Sequence, residues 1–195
     1  MDNLEDKLQI VAFSTNDSRH TPNDIISIFL DQHDHTIIQN SNKVIAFSTI
    51  LRNCPESTKI MICSILNLTV EYKGINEVNC YIIFIDLENE DSKIKFNSII
   101  NYFKDFCELS KKVFVLGMLS GSSECKYIEK EYIIRNLEKA KIDYAYKEIN
   151  LNKIKEISDC IMEIFVYCNE NTLYYDITNF DKDKERGQGN SCGIF

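Results

Sequence analysis

Four groups of residues have types and spacings that could carry chemistry. Asp31-Gln32-His33-Asp34-His35 sets two imidazoles and two carboxylates side by side, donors that hold a divalent metal when a further ligand arrives from elsewhere in the chain. No distant Cys or His completes the set, so the segment is expected to be a polar helix terminus, and no metal site is predicted. Glu88, Glu90 and Asp91 form an acidic cluster after an apolar run. Without a His partner or a paired spacing they offer no general acid–base couple. Gly117, Gly121 and Ser122-Ser123 resemble a glycine-rich loop, but not in a phosphate-wrapping pattern. Cys192-Gly193-Ile194-Phe195 reads as a C-a-a-X lipidation box, whose final Phe favours geranylgeranyl on Cys192. Asp181 to Arg186 holds three acids and three bases, so the polybasic second signal that stable anchoring needs is missing.

The whole-chain balance narrows the classes further. A length of 195 residues suits one domain, expected over residues 1–180, with a flexible polar tail over 181–195. Hydrophobic residues at 44% are enough for a sizeable core, and 2 Pro and 6 Gly exclude collagen-like or linker-like chains. A net charge of −8 argues against direct nucleic-acid binding, because phosphate contacts want a basic surface. A protein partner or a small ligand fits better. No apolar run is long enough to span a membrane, and the acidic start Met1-Asp2-Asn3-Leu4-Glu5-Asp6 is unlike a signal peptide. Of the eight Cys, Cys63, Cys80, Cys107, Cys160 and Cys168 fall inside apolar segments, where a free thiol behaves as a small hydrophobe. There is no CxxC pair, so a reducing compartment, cytosol or nucleus, is expected.

The elements that must position these groups alternate. Leu8 to Phe13 reads as a buried strand. Thr21 is a good N-cap, Pro22 suits the first helical position and Asp24 can close a capping box, with Ile25, Ile28 and Phe29 as the apolar stripe. Lys43 to Leu51 and Lys59 to Val70 read as an antiparallel hairpin. Tyr81 to Leu87 and Val113 to Met118 are further strands, separated by a helix that Ser92 caps and that carries Phe96, Ile99, Ile100, Phe103, Phe106 and Cys107. A helix with Ile133, Leu137 and Ala140 precedes a short strand, Ile142 to Tyr146. Ile154, Ile157, Ile161, Ile164, Phe165 and Cys168 mark an amphipathic helix, and Thr172 to Thr178 is strandlike. Continuous apolar strands joined by helices imply a mostly parallel sheet covered on both faces.

This order resembles the Ras-like small-GTPase fold over residues 7–168: α/β, a mixed, mostly parallel six-stranded sheet with one antiparallel edge and helices on both faces. The resemblance assigns chemistry to particular loops. The phosphate loop would be Ser14 to Thr21; Ser14 and Arg19 fill both glycine positions, His20 stands where Lys belongs, Asp17 adds a negative charge, and only Thr21 fits. A residual anion site could use Arg19 and the helix N-terminus, but a solvated loop is the expectation. The magnesium-side Asp-x-x-Gly motif has only Glu71-Tyr72-Lys73-Gly74 to offer, and Ile75 to Cys80 is too short for a switch II helix. The guanine-reading Asn-Lys-x-Asp motif is replaced by Gly117-Met118-Leu119-Ser120-Gly121, and the last base-contact loop by Lys147-Glu148-Ile149. With every motif lost, the resemblance implies a pseudo-GTPase with no catalytic residue and no cofactor.

Lys112 to Gly117, Ser120 to Cys125, Asp143-Tyr144-Ala145-Tyr146, Phe165-Val166-Tyr167-Cys168 and the lead from Val78 to Leu87 are similar to the centromere protein M family over residues 78–170. That family is a small-GTPase-like subunit of the inner kinetochore without a phosphate loop or a switch II helix. The resemblance implies a non-catalytic interaction subunit in the nucleus, at the centromere. Its partner would be a helical-repeat kinetochore subunit resembling centromere protein I, with proteins H and K. The alternative is a divergent, prenylated Ras-like GTPase or trafficking adaptor on the cytoplasmic face of membranes, anchored through Cys192.

Overall fold

The period-two alternation of the apolar runs sends side chains to two different clusters, and this decides the architecture. The computed structural model describes residues 7–16, 20–52, 54, 56–65, 68, 78–107, 111–121 and 126–169. In β1 (Lys7–Ser14), Leu8, Ile10 and Ala12 enter one cluster while Val11 and Phe13 enter the other. In β5 (Cys80–Asp86), Cys80, Ile82 and Phe84 divide from Tyr81, Ile83 and Ile85 in the same way. In β6 (Val113–Leu119), Phe114, Leu116 and Met118 divide from Val113 and Val115. A strand buried on both faces needs helices on both faces. Here α1 (Pro22–Leu30) and α4 (Ile154–Asn169) cover the first, and α2 (Ser92–Phe106) and α3 (Lys130–Lys139) the second.

Among the described residues the sheet has seven strands, not the six expected, in the order β2-β3-β4-β1-β5-β6-β7. Here β2 is His35–Asn40, β3 is Val44–Ile50, β4 is Ser57–Ile65 and β7 is Tyr144–Asn150. β4, β1, β5, β6 and β7 run parallel; β3 is antiparallel to β4 and β2 antiparallel to β3. The expected hairpin is β3–β4, but its antiparallel strand lies inside the sheet, because β2 takes the edge. β2 contradicts the expectation of a polar helix terminus that reaches His35. α1 ends at its C-cap Asp31, and Thr49 Oγ1 then donates to Asp34 O (2.8 Å), fixing the turn from which β2 starts.

The local signals in α1 act as expected. Thr21 is the N-cap, its side chain accepts from Asp24 N, and Pro22 opens the helix. In α4, Ile157, Ile161, Ile164 and Phe165 are fully buried, each contributing roughly 1.5–3 kcal/mol by leaving water. Ile154 departs from the expected stripe: it is half-exposed in the first turn, while Cys160, Met162 and Val166 are buried instead. Cys63, Cys80, Cys160 and Cys168 are buried thiols and Cys107 is half-buried. Burial pushes the thiols of Cys107 and Cys160 up to about 12, so both remain protonated at neutral pH. Cys125, Cys192, the strandlike 172–178, the tail 181–195 and the lost-switch segment 69–77 all lie outside the described residues.

Candidate functional site

Ligands of open α/β sheets bind beyond the carboxyl ends of the strands, where successive connections leave on opposite faces. In this chain that place lies between β1, which leaves toward α1 on one face, and β5, which leaves toward α2 on the other. Among the described residues, side chains of the protein bond to one another in this crevice. Thr15 and Ser92 are fully buried, with their hydroxyls 2.9 Å apart, and Thr15 Oγ1 also accepts from Asp86 N at 2.9 Å. Asn16 Nδ2 donates to Asp86 Oδ2 at 2.7 Å, and Glu88 N donates to Asp86 Oδ1 at 3.0 Å.

The network continues along the edge. Ser120, past the end of β6, donates its amide to Glu88 Oε2 at 2.9 Å and its hydroxyl to the same oxygen. Ser120 O accepts from Asn152 Nδ2, and Asn152 N donates to Asn150 Oδ1 at 2.9 Å. The loops after β1, β5, β6 and β7 are thereby tied into one chain of hydrogen bonds. Gly121 turns the β6 loop at φ +72°, and a Cβ there would meet the Asn152 and Asn150 amides at 3.2 and 3.3 Å. The left-handed backbone favours glycine, and a Cβ would also press on those two amides. At Gly117 a Cβ would lie 2.8 Å from Tyr146 Oη and 2.9 Å from Leu87 Cδ1. The missing side chain lets the Tyr146 hydroxyl cross the strand to donate to Glu148 Oε1 at 3.0 Å, while Lys126 holds Glu148 Oε2 at 2.6 Å. Burial first, then the Glu148 charge, raises the Tyr146 hydroxyl far above the ordinary phenol value.

The described residues of the expected phosphate loop, Ser14 to Asn16, His20 and Thr21, are not arranged to hold phosphate. Ser14 Oγ turns back to its own loop, donating to Asn16 O at 2.8 Å. Arg19 and Asp17 lie outside the described residues. His20 has a left-handed backbone, φ 56°. Asp24 Oδ2 accepts from Thr21 N at 2.8 Å and from Thr21 Oγ1 at 2.9 Å. A carboxylate therefore already sits at the helix N-terminus, where an anion would bind.

The other sequence candidates disperse. His33 stacks on Phe29 with ring centroids 4.4 Å apart, and its Nε2 lies 2.8 Å from Ser158 Oγ on α4. His35 Nδ1 lies 2.9 Å from His33 O. Both rings thus serve the joint between α1, β2 and α4, and among the described residues no group of three or more His, Cys, Asp and Glu side chains is placed to hold a metal ion. Within the acidic cluster, Glu88 joins the network, whereas Glu90 and Asp91 are exposed. Ser122 and Ser123 lie outside the described residues. Thr15, Asn16, Asn150 and Asn152, which the sequence did not single out, do much of the bonding, together with Ser92, which was expected to cap α2 but is its first residue, behind the N-cap Asp91. A shallow groove of about 700 Å³ lies beside α4, but charges that line it are paired with each other, Lys147 with Glu163 at 3.6 Å and Lys153 with Glu156, three residues on, at 3.2 Å.

Chemically, this edge is a set of donors and acceptors that answer one another. Among the described residues it places no nucleophile against a base and points no row of amides at an open space. No protein-family model and no curated protein matches the chain.

Proposed function

We propose that the chain is a non-catalytic interaction subunit built on a degenerate small-GTPase-like fold. The observation that carries this reading is the carboxyl edge of the sheet, where Thr15, Asn16, Asp86, Glu88, Ser92, Ser120 and Asn152 bond to each other across the crevice a nucleotide would fill. The Asp24 carboxylate on the α1 N-terminus adds to it, since a phosphate would have to displace that charge. A parallel sheet with β1 central, one antiparallel strand after α1 and paired helices on both faces is compatible with that fold; the extra edge strand β2 is an addition to it.

Membership of the inner kinetochore, beside a helical-repeat subunit in the nucleus, rests on the resemblance of residues 78–170 to centromere protein M. The polar groups that a GTPase spends on nucleotide are spent here on rigidity, leaving the outer surface to bind protein.

Titration of a fluorescent GTP analogue tests the first element. A bound nucleotide relies on several charge-assisted hydrogen bonds of roughly 1.5–3 kcal/mol each, so losing most of them leaves affinity at about millimolar or weaker. Micromolar binding would overturn the proposal. Affinity purification from dividing cells tests the second. Recovery of inner-kinetochore subunits supports it, and recovery of prenyl-binding chaperones or exchange factors in their place overturns it.

A further inference from the structure

Cys80, the first residue of β5, and Cys168, in the last turn of α4, meet inside the cluster between the sheet and α1/α4. Their Sγ atoms lie 2.6 Å apart, and the residues are 0% and 3% exposed. Two unbonded sulfurs do not rest so close; the separation is only about half an ångström longer than a disulfide bond. The surroundings hold them there. Cys80 is fixed by the pairing of β5 with β1, and Cys168 by the helix whose neighbouring Tyr167 stacks edge-on against Phe114, centroids 5.1 Å apart. Forming the bond needs a small approach of two side chains, whereas relieving the contact without it needs a dense core to part.

We propose that Cys80 and Cys168 are a covalent oxidation site, joined as a disulfide when the protein meets a hydroperoxide. The Cys168 sulfur attacks the peroxide O–O bond, becomes a sulfenic acid and releases one water. The Cys80 sulfur then attacks the Cys168 sulfur; the S–O bond breaks, the S–S bond forms and a second water leaves. Two thiols lose two protons and two electrons, and hydrogen peroxide is reduced to two waters. Burial, with the Cys80 contact second, holds the Cys168 thiol well above the usual thiol range. The thiolate is therefore scarce, and the reaction waits for the last turn of α4 to open. That sets its rate and leaves its product unchanged. The bond would staple the end of α4 to the central sheet and close a loop of 88 positions, which restricts the unfolded chain more than the folded one.

Cys54 is the competitor. It is half-exposed, and its Sγ is 3.2 Å from the Nδ2 of Asn169, the residue next to Cys168. The test treats the reduced full chain with hydrogen peroxide, denatures it in N-ethylmaleimide and maps unreduced peptides by mass spectrometry. The expected product is a cross-linked peptide pair containing Cys80 and Cys168, with a melting temperature several degrees above that of the reduced protein. Cys54→Ser should leave this product intact, and Cys80→Ser should abolish it. Recovery of Cys80 and Cys168 as maleimide adducts at full oxidation of the exposed thiols would overturn the proposal. A dominant Cys54–Cys168 link would overturn it equally. The mapping of the unsubstituted protein decides the matter even if Cys80→Ser fails to fold, and neither outcome depends on nucleotide or partner binding.

Discussion

The middle of the sheet and its β2 edge are held by different forces. β1, β5 and β6 are paired on both sides and covered on both faces, and fully buried side chains such as Ile10, Phe13, Phe84 and Val115 fix their register. A slip of one residue there would exchange two packed faces. All six residues of β2 are exposed among the described residues, Ile37 and Ile38 included, and within them the strand pairs only with β3. Its position comes from backbone bonds and from polar anchors at its ends: Thr49 Oγ1 on Asp34 O, His33 on Ser158, and Asn23 Nδ2 donating to Ser41 O at 3.2 Å. A register shift between Ile37 and Gln39 leaves Ile38 without an opposite residue. Such a bulge blunts an edge that would otherwise recruit another strand. Buried area thus specifies the centre, and hydrogen bonds specify the rim.

The largest test of this contrast is Ile161→Asp. Ile161 is fully buried in α4 against the α1 side of the sheet. A carboxylate there is desolvated without a partner, at several kcal/mol, out of the roughly 5–15 kcal/mol a domain of this size holds. The variant is expected to unfold or precipitate. Lys155→Asp, on the exposed side of the same helix, should shift the melt by no more than about 0.5 kcal/mol. Circular dichroism melts compare the two, and a parent-like melt for Ile161→Asp would show that the covered face is not covered.

The same contrast explains what the sequence could reveal. β1, β5 and β6 are continuous apolar runs, and α1 carries its own cap, so each was legible within a few residues of chain. β2 was not. His35-Thr36-Ile37-Ile38-Gln39-Asn40 has two adjacent apolar residues and no alternation, and it becomes a strand only because β3 offers it a partner. β7 was expected to end at Tyr146 but runs to Asn150, because Lys147 and Glu148 are polar by type yet pair in register with Leu116 and Gly117. The hydrogen-bonded crevice was not legible. Asn16 and Asp86 are 70 positions apart, and neither residue type announces the other.

A second test moves to that crevice, between the covered middle and the rim. Asp86→Ala removes the acceptor used by Asn16 Nδ2 and by Glu88 N. Leaving partly buried donors without their acceptor costs about 1–3 kcal/mol, read as a lower urea midpoint at unchanged slope. Nucleotide binding should not appear. A rise in stability instead would mark Asp86 as held against its preference, as groups at working sites are, and would move the crevice from plug to binding site.

A smaller effect is expected at His33, one of the rim's anchors. Burial first, then the charge of Arg52, lowers its folded-state value below the ordinary 6.5, against the opposing pull of Asp159 and Asp34. The fold therefore prefers the neutral ring, and the unfolded chain takes up the proton first as pH falls. The stability His33 contributes is complete above about 6.5 and drains away as pH drops through its lower folded value. The melting difference between the parent and His33→Gln should narrow from pH 7.5 to pH 5.5. A difference that widens on acidification would mean the ring is bound to Ser158 as a cation.

The smallest effect belongs to Ile38→Lys. Ile38 is the bulged residue of β2, 41% exposed, with no residue opposite it on β3. Its backbone is compatible with any L residue, and a lysine there can lay its methylenes where the isoleucine lay while its ammonium stays in water. The buried area lost is small and no hydrogen bond of the β2–β3 ladder is touched, so the melt should move by no more than about 0.5 kcal/mol. The charge would also strengthen the edge against pairing with other strands, as edge lysines do. Side by side with Ile161→Asp, this sets the contrast on one scale: a charge in the covered layer removes the fold, and a charge on the rim leaves it in place. A loss of more than about 1 kcal/mol in the isolated chain would mean that β2 is not bare, and that part of the chain outside the described residues packs on Ile38.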